Sequence, residues 1–142
     1  MAEITAYKLS NDKKKKILRQ IEEFFHEKPE IEFAYIYGSF NADGPFRDID
    51  IGIYVNENQV KEQVKFELTL EMELERYVGI SIPVDIRIVN KRNITYAYNV
   101  LKGQLIYNKN DSKRVNFVTY VLSRYFDLKP VLSYYQKEAF VP

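Results

Sequence analysis

Asp48-Ile49-Asp50-Ile51-Gly52-Ile53-Tyr54-Val55 is the stretch on which the reading of this chain turns. Its β-branched and aromatic residues predict a strand over about 48–55. Side chains alternate between the faces of a strand, so Asp48 and Asp50 point the same way. Two carboxylates side by side repel each other, and a strand that only filled a core would carry valine there. The arrangement becomes favourable when a divalent cation bridges the pair. Hard cations such as Mg²⁺ take oxygen ligands and usually keep contacts to phosphate.

Upstream, Phe33-Ala34-Tyr35-Ile36-Tyr37 predicts a buried strand over about 32–37 that ends at Gly38-Ser39. A Gly-Ser turn lets backbone N–H groups and a hydroxyl approach an anion closely. The turn cluster Asn41-Ala42-Asp43-Gly44-Pro45 then leads into the second strand. It is short, so the two strands can be neighbours and present their ends to one site. Pro83-Val84-Asp85-Ile86-Arg87-Ile88-Val89 predicts a third strand over about 82–89, with Asp85 near its start. Two paired carboxylates and a third on another strand are the constellation of two-metal phosphoryl-transfer sites.

Gly38-Ser39, a short loop, Asp48-Ile49-Asp50, and Asp85 on a later strand together resemble the polymerase-β-type nucleotidyltransferase superfamily. The small size is similar to the minimal nucleotidyltransferase (MNT) branch, whose members are commonly antitoxins paired with HEPN-domain toxins. The resemblance covers most of the chain, including Leu101 to Tyr107 and the segment from Arg114 to Pro130. Three features depart from the family pattern: the spacing between Ser39 and Asp48 is at the short end of the family range, Ala42-Asp43-Gly44 lacks a basic residue near its glycine, and Arg47 stands where a serine often precedes the first Asp.

The resemblance implies an α+β fold: a small mixed sheet flanked by helices, the polymerase-β-like palm. It implies a single nucleotidyltransferase domain over 1–142, closed by a helical segment over about 111–142. Asp48, Asp50 and Asp85 would be the catalytic and metal-binding residues, holding two Mg²⁺ ions. Gly38, Ser39 and Arg47 would bind the nucleotide, expected to be ATP. The acceptor would be a tyrosine of a cognate HEPN toxin, with the two proteins forming a hetero-oligomer. Two other readings stay open: a non-catalytic antitoxin of the same fold that blocks its partner by contact, and a nucleotidyltransferase for a small molecule or an RNA end.

Composition is compatible with this. The chain has 142 residues and 46% hydrophobic residues, enough for one cored domain. It contains no cysteine, which rules out disulfides and thiolate metal sites. Neither a signal-peptide pattern nor an apolar run of membrane-spanning length is evident, so a cytoplasmic protein is expected. Net charge is +1, with residues 1–90 net acidic and 91–142 net basic. The basic third could face an anionic partner or the nucleotide, or be a solvated helix. Direct nucleic-acid binding is not expected.

Elsewhere, Ile17, Ile21, Phe24 and Phe25 predict a helix over 11–27, capped by Ser10, Asn11 or Asp12. Lys13 to Lys16 lie in its first turn, against the dipole, and read as a solvated face. The single histidine, His26, cannot build a histidine-rich metal site. Residues 58–78 are ambiguous. Val64, Phe66, Leu68, Leu70, Met72 and Leu74 alternate with polar residues as in a strand, yet the residue types favour helix. Read as a helix, the segment has two apolar faces, one for the sheet and one for a partner. Asn93 is expected to cap a short helix through Leu101 with Gly103 at its C′ position, and an edge strand follows at 104–107. A closing helix over 111–126 starts from Asp111 or Ser112 and buries Val115, Val118, Leu122 and Tyr125. Pro130 is expected to interrupt it.

Overall fold

The computed structural model describes residues 6–140. Four strands, β1 (Ile31–Tyr37), β2 (Ile49–Val55), β3 (Val84–Ile88) and β4 (Gln104–Asn108), form one sheet in the order β3-β2-β1-β4. β1 runs antiparallel to β2 and β4, and β2 runs parallel to β3. The parallel pair needs a crossover, supplied by α2 (Gln63–Val78) after a short 3-10 turn at Glu57–Gln59. The remaining helices are α1 (Asn11–His26), α3 (Ile94–Leu101) and α4 (Asp111–Phe140). This is the mixed sheet with flanking helices expected from the sequence. The last two residues of the segment 111–142 lie outside the described residues.

Alternation along the strands sorts the core into two layers. Ile49, Ile51, Ile53 and Val55 of β2 face α1 and α2, where they meet Ile17, Ile21, Phe25, Leu70 and Leu74. Phe33 and Tyr35 of β1 face α3 and α4, where they meet Ala97, Val100, Phe117 and Val121. The stripe expected of α1 is the one it buries, and the Ser10 side chain caps the helix by accepting from the Lys13 N–H at 3.3 Å.

Residues 63–78 are helical, and their alternating pattern has a physical origin. β3 is an edge strand, whose outward N–H groups would otherwise be open for pairing. Glu75, Glu71 and Glu67, spaced one turn apart on α2, accept from the N–H groups of Val84, Ile86 and Ile88 at 3.0, 2.9 and 2.7 Å. The polar positions that imitate a strand pattern are thus spent covering a strand edge. Burial comes first among the causes that raise the Glu71 carboxyl above its ordinary range, against the hydrogen bond it accepts from Ile86. Of the apolar residues, Leu70 and Leu74 are buried, whereas Val64, Leu68 and Met72 are 70%, 55% and 62% exposed in a one-turn-spaced stripe.

Three sequence expectations need correction. The cap of α4 is Asn110, whose side chain accepts from the Lys113 N–H at 3.2 Å; Asp111 instead accepts from Asn108 and Arg114. The buried stripe of α4 is centred on Phe117 and Val121, and Val115 is 45% exposed. Pro130 lies within α4 and does not interrupt it. The carbonyl it leaves without a donor belongs to Phe126, on a stretch exposed from 126 to 130 where water can reach it.

Gly103 follows α3 for a reason other than a left-handed turn, since its φ is not positive. A Cβ there would overlap the carbonyl oxygen of Ile36 on β1. Gly103→Ala should therefore lift β4 from the sheet, costing about 2–3 kcal/mol. A thermal melt should show a fall of roughly 10 °C.

Candidate functional site

Registration of the strands builds the site. Tyr37 pairs with Asp50 across β1 and β2, and Asp50 pairs with Asp85 across β2 and β3. Residues directly opposite each other share a face. Tyr37, Asp50 and Asp85 therefore form a row on the α3/α4 side of the sheet. Asp48, the residue just before β2, lies close enough to Asp50 for its carboxyl to raise that of Asp50.

Burial first, then the neighbouring carboxyl of Asp48 and the charge of Asp85, push Asp50 from 3.8 up to about 7. Gly38 makes the crowding possible. Its φ is +80°, and a Cβ built there would sit 2.5 Å from Oδ2 of Asp50. The turn after β1 thus lies directly against the carboxylate. Gly38 and Ser39 are both exposed, and Ser39 opens a short 3-10 turn to Asn41.

A raised carboxyl pKa has a definite consequence for stability. The unfolded chain loses the Asp50 proton near 3.8 and the folded chain only near 7. Between these values the folded state binds more protons, so stability falls as pH rises through this window and levels off above it. Asp50→Asn should remove the penalty. Discounted for the partial exposure of the carboxyl, the gain is about 1–2 kcal/mol at pH 8. It should shrink to nothing towards pH 4. Urea melts of both proteins at the two pH values check this.

Asp85 is on the same row but is engaged sideways. Nε of Arg87 donates to its Oδ1 at 2.9 Å. This bond, with the charge of Asp85, raises the already basic guanidinium further. Among the described residues, no three His, Cys, Asp or Glu side chains are arranged to hold a metal ion between them as they stand. The chemistry of the donors nonetheless fits Mg²⁺. All three are hard oxygen ligands. Asp48 and Asp85 are both close enough to raise Asp50.

Arg47 is exposed in the residue before Asp48 and lies outside the carboxylate row. His26 is also exposed and contacts Tyr107, across the sheet from the site. Two neighbours of the carboxylates escaped the sequence reading. Tyr37 and Tyr96 share a hydrogen bond of 2.6 Å between their hydroxyls, and burial, first among the causes, raises both phenols. Tyr37 was legible as the last residue of β1, two positions from Tyr35 on the same face. Tyr96 comes from α3, and only the packing of that helix brings it here.

Residues 19–112 match the family model described as polymerase beta, nucleotidyltransferase. The chain belongs to this nucleotidyltransferase family. The solved structures it resembles include toxin–antitoxin complexes. One is a tri-AMPylated HEPN toxin of Shewanella oneidensis in complex with its MNT antitoxin: TM-score 0.69, 14% identity, 90% of this chain and 99% of the other covered. A second is the MntA-HepT toxin-antitoxin: TM-score 0.67, 14% identity, 89% and 99% covered. A third is a toxin-antitoxin with AMP-PNP: TM-score 0.69, 15% identity, 87% and 98% covered. No curated protein matches the chain. No described helix is long and apolar enough to cross a membrane.

Proposed function

We propose that this protein is a Mg²⁺-dependent nucleotidyltransferase that transfers AMP from ATP to a tyrosine of a HEPN-domain toxin, and so acts as the antitoxin of the pair. The observation that carries this reading is the gathering of Asp48, Asp50 and Asp85 beside the tight Gly38 turn, in a chain of the nucleotidyltransferase family. The partner and the nucleotide are suggested by the solved relatives, which are complexes of HEPN toxins and one with AMP-PNP. Residues 1–142 would work as one nucleotidyltransferase domain, in the cytoplasm where ATP is found.

Asp48, Asp50 and Asp85 are the residues that would hold the cations. Bound Mg²⁺ would supply charge neutralisation for the triphosphate and the departing pyrophosphate. Gly38 and Ser39 present backbone and hydroxyl to the β- and γ-phosphates. Arg47, at the end of the same loop, offers a guanidinium to phosphate oxygens. Asp85 accepts the proton of the acceptor hydroxyl. That oxygen attacks the α-phosphorus in line, the bond to the bridging oxygen of pyrophosphate breaks, and AMP remains on the acceptor. On a toxin tyrosine the product is a bulky anion, which would obstruct an RNA site by charge and size.

A second reading has its own observation. The exposed stripe of Val64, Leu68 and Met72 on α2 is the kind of surface a partner covers. It lies on the far side of the sheet from the carboxylates, so binding and transfer would use different surfaces. A contact antitoxin would need only the stripe. Incubation with labelled ATP, Mg²⁺ and a HEPN-domain partner separates the two. Label on the partner supports transfer, and a stable complex that remains unlabelled supports contact alone.

A further inference from the structure

The four consecutive lysines of α1 are not equivalent. Lys13, Lys15 and Lys16 are exposed, as a solvated basic run should be. Lys14 is half-buried. Its ammonium donates to the carbonyl oxygen of Phe40 at 3.2 Å and to that of Ala42 at 3.0 Å. It also lies 5.2 Å from the ring centroid of Phe40 and 5.1 Å from that of Phe46. The two rings meet edge to face at 4.8 Å and are both buried. A lysine in the first turn of a helix works against the helix dipole. Here that cost is offset by two charge-assisted hydrogen bonds and by cation–π attraction in a partly desolvated setting.

Both carbonyls belong to the strap between β1 and β2, which begins at Gly38-Ser39 and ends at Asp48. Its far half is also fixed: Phe46 exchanges backbone hydrogen bonds with Tyr7 at 2.7 and 2.9 Å. In the near half the Phe40 ring is packed in the core, and among the described residues the hydrogen bonds that tie its backbone to the rest of the molecule come from Lys14. We propose that Lys14 is a positioning residue for the triphosphate: its ammonium, clamped on the Phe40 and Ala42 carbonyls between two phenyl rings, fixes the strap whose first residues, Gly38 and Ser39, receive the β- and γ-phosphates. The proposal rests on the nucleotidyltransferase reading. Lys14 itself acts through the strap and need not touch the nucleotide.

Removing the ammonium frees the two carbonyls and lets the strap drift, and misplacement on the scale of 1 Å can cost about 100-fold in function. The test is calorimetric titration of ATP and of AMP, with Mg²⁺, into wild type, Lys14→Met, Lys14→Arg and Lys15→Met. Lys14→Met keeps an apolar stem against the rings, and Lys15→Met removes the same charge from an exposed neighbour. Lys14→Met should bind ATP about tenfold more weakly, while AMP, which lacks the outer phosphates, should be unaffected. Lys14→Arg should recover much of the ATP affinity, and Lys15→Met should match wild type. Amide exchange should rise in Lys14→Met at Phe40 to Ala42 and not in β1 or β2, which also decides the matter if that variant is only marginally stable. Equal ATP affinity in Lys14→Met and wild type, or an equal loss for ATP and AMP, overturns the proposal alone. Failure of wild type to bind ATP overturns the nucleotidyltransferase reading and the proposal with it.

Discussion

Asp48→Asn combined with Asp50→Asn should abolish nucleotidyl transfer, with a fall of at least about 1,000-fold, while the protein stays folded. The amides keep the shape of the side chains and remove the charge on which cation binding depends. Asp50 is already pushed up to about 7 by burial and by its acidic neighbours. The double variant should therefore melt at or above the wild-type temperature at pH 8, because a repelling pair has been relieved. Loss of activity together with equal or better stability is the signature of a group retained for chemistry. Transfer that persists in the double variant would remove Asp48 and Asp50 from the catalytic assignment.

Gly38→Ala should have the second largest effect on activity. The φ of +80° is one that alanine adopts only with strain, of about 1–2 kcal/mol. The new methyl would also stand 2.5 Å from Oδ2 of Asp50, well inside contact distance. Either the turn or the carboxylate must move. Both belong to the proposed site, so transfer should drop by about 100-fold even where the fold survives. Gly44→Ala is the matched control. Its φ is also positive, at +99°, but a Cβ there meets nothing within 4 Å. A similar backbone penalty without the collision should leave most of the activity. Equal losses in the two variants would point to loop strain alone and against the contact with Asp50.

The carboxylate row was legible because strand alternation is a strict rule of period two. Asp48-Ile49-Asp50 and the β-branched run after it allow few other arrangements. Asp85 needed only the expectation of a neighbouring strand, and the parallel register places it opposite Asp50. What escaped depends on contacts between elements distant in sequence. Arg87 could have been found, since it lies two residues after Asp85 on the same strand face. Tyr96 could not, because its approach to Tyr37 depends on how α3 packs. Lys14 is identical in type to its three neighbours, and only the position of the strap distinguishes it.

The same cause explains the ambiguity of α2. A helix whose polar positions face only water shows a period near 3.6. Here Glu67, Glu71 and Glu75 are drawn onto the N–H groups of an edge strand, and Val64, Leu68 and Met72 are left exposed. Two apolar rows separated by a functional polar row produce an alternation that imitates a strand. At α4, Pro130 misled because the rule against proline inside helices assumes that the lost donor matters. On an exposed stretch it is replaced by water.

The most direct test is intact-mass spectrometry of a HEPN-domain partner after co-incubation with ATP and Mg²⁺, using wild type and the Asp48→Asn/Asp50→Asn variant, beside a toxicity assay with both. Transfer predicts that wild type adds one or more AMP units to a partner tyrosine and neutralises the toxin, while the variant binds the partner, leaves its mass unchanged and fails to neutralise it. An unmodified partner that both proteins neutralise equally would contradict transfer as the function.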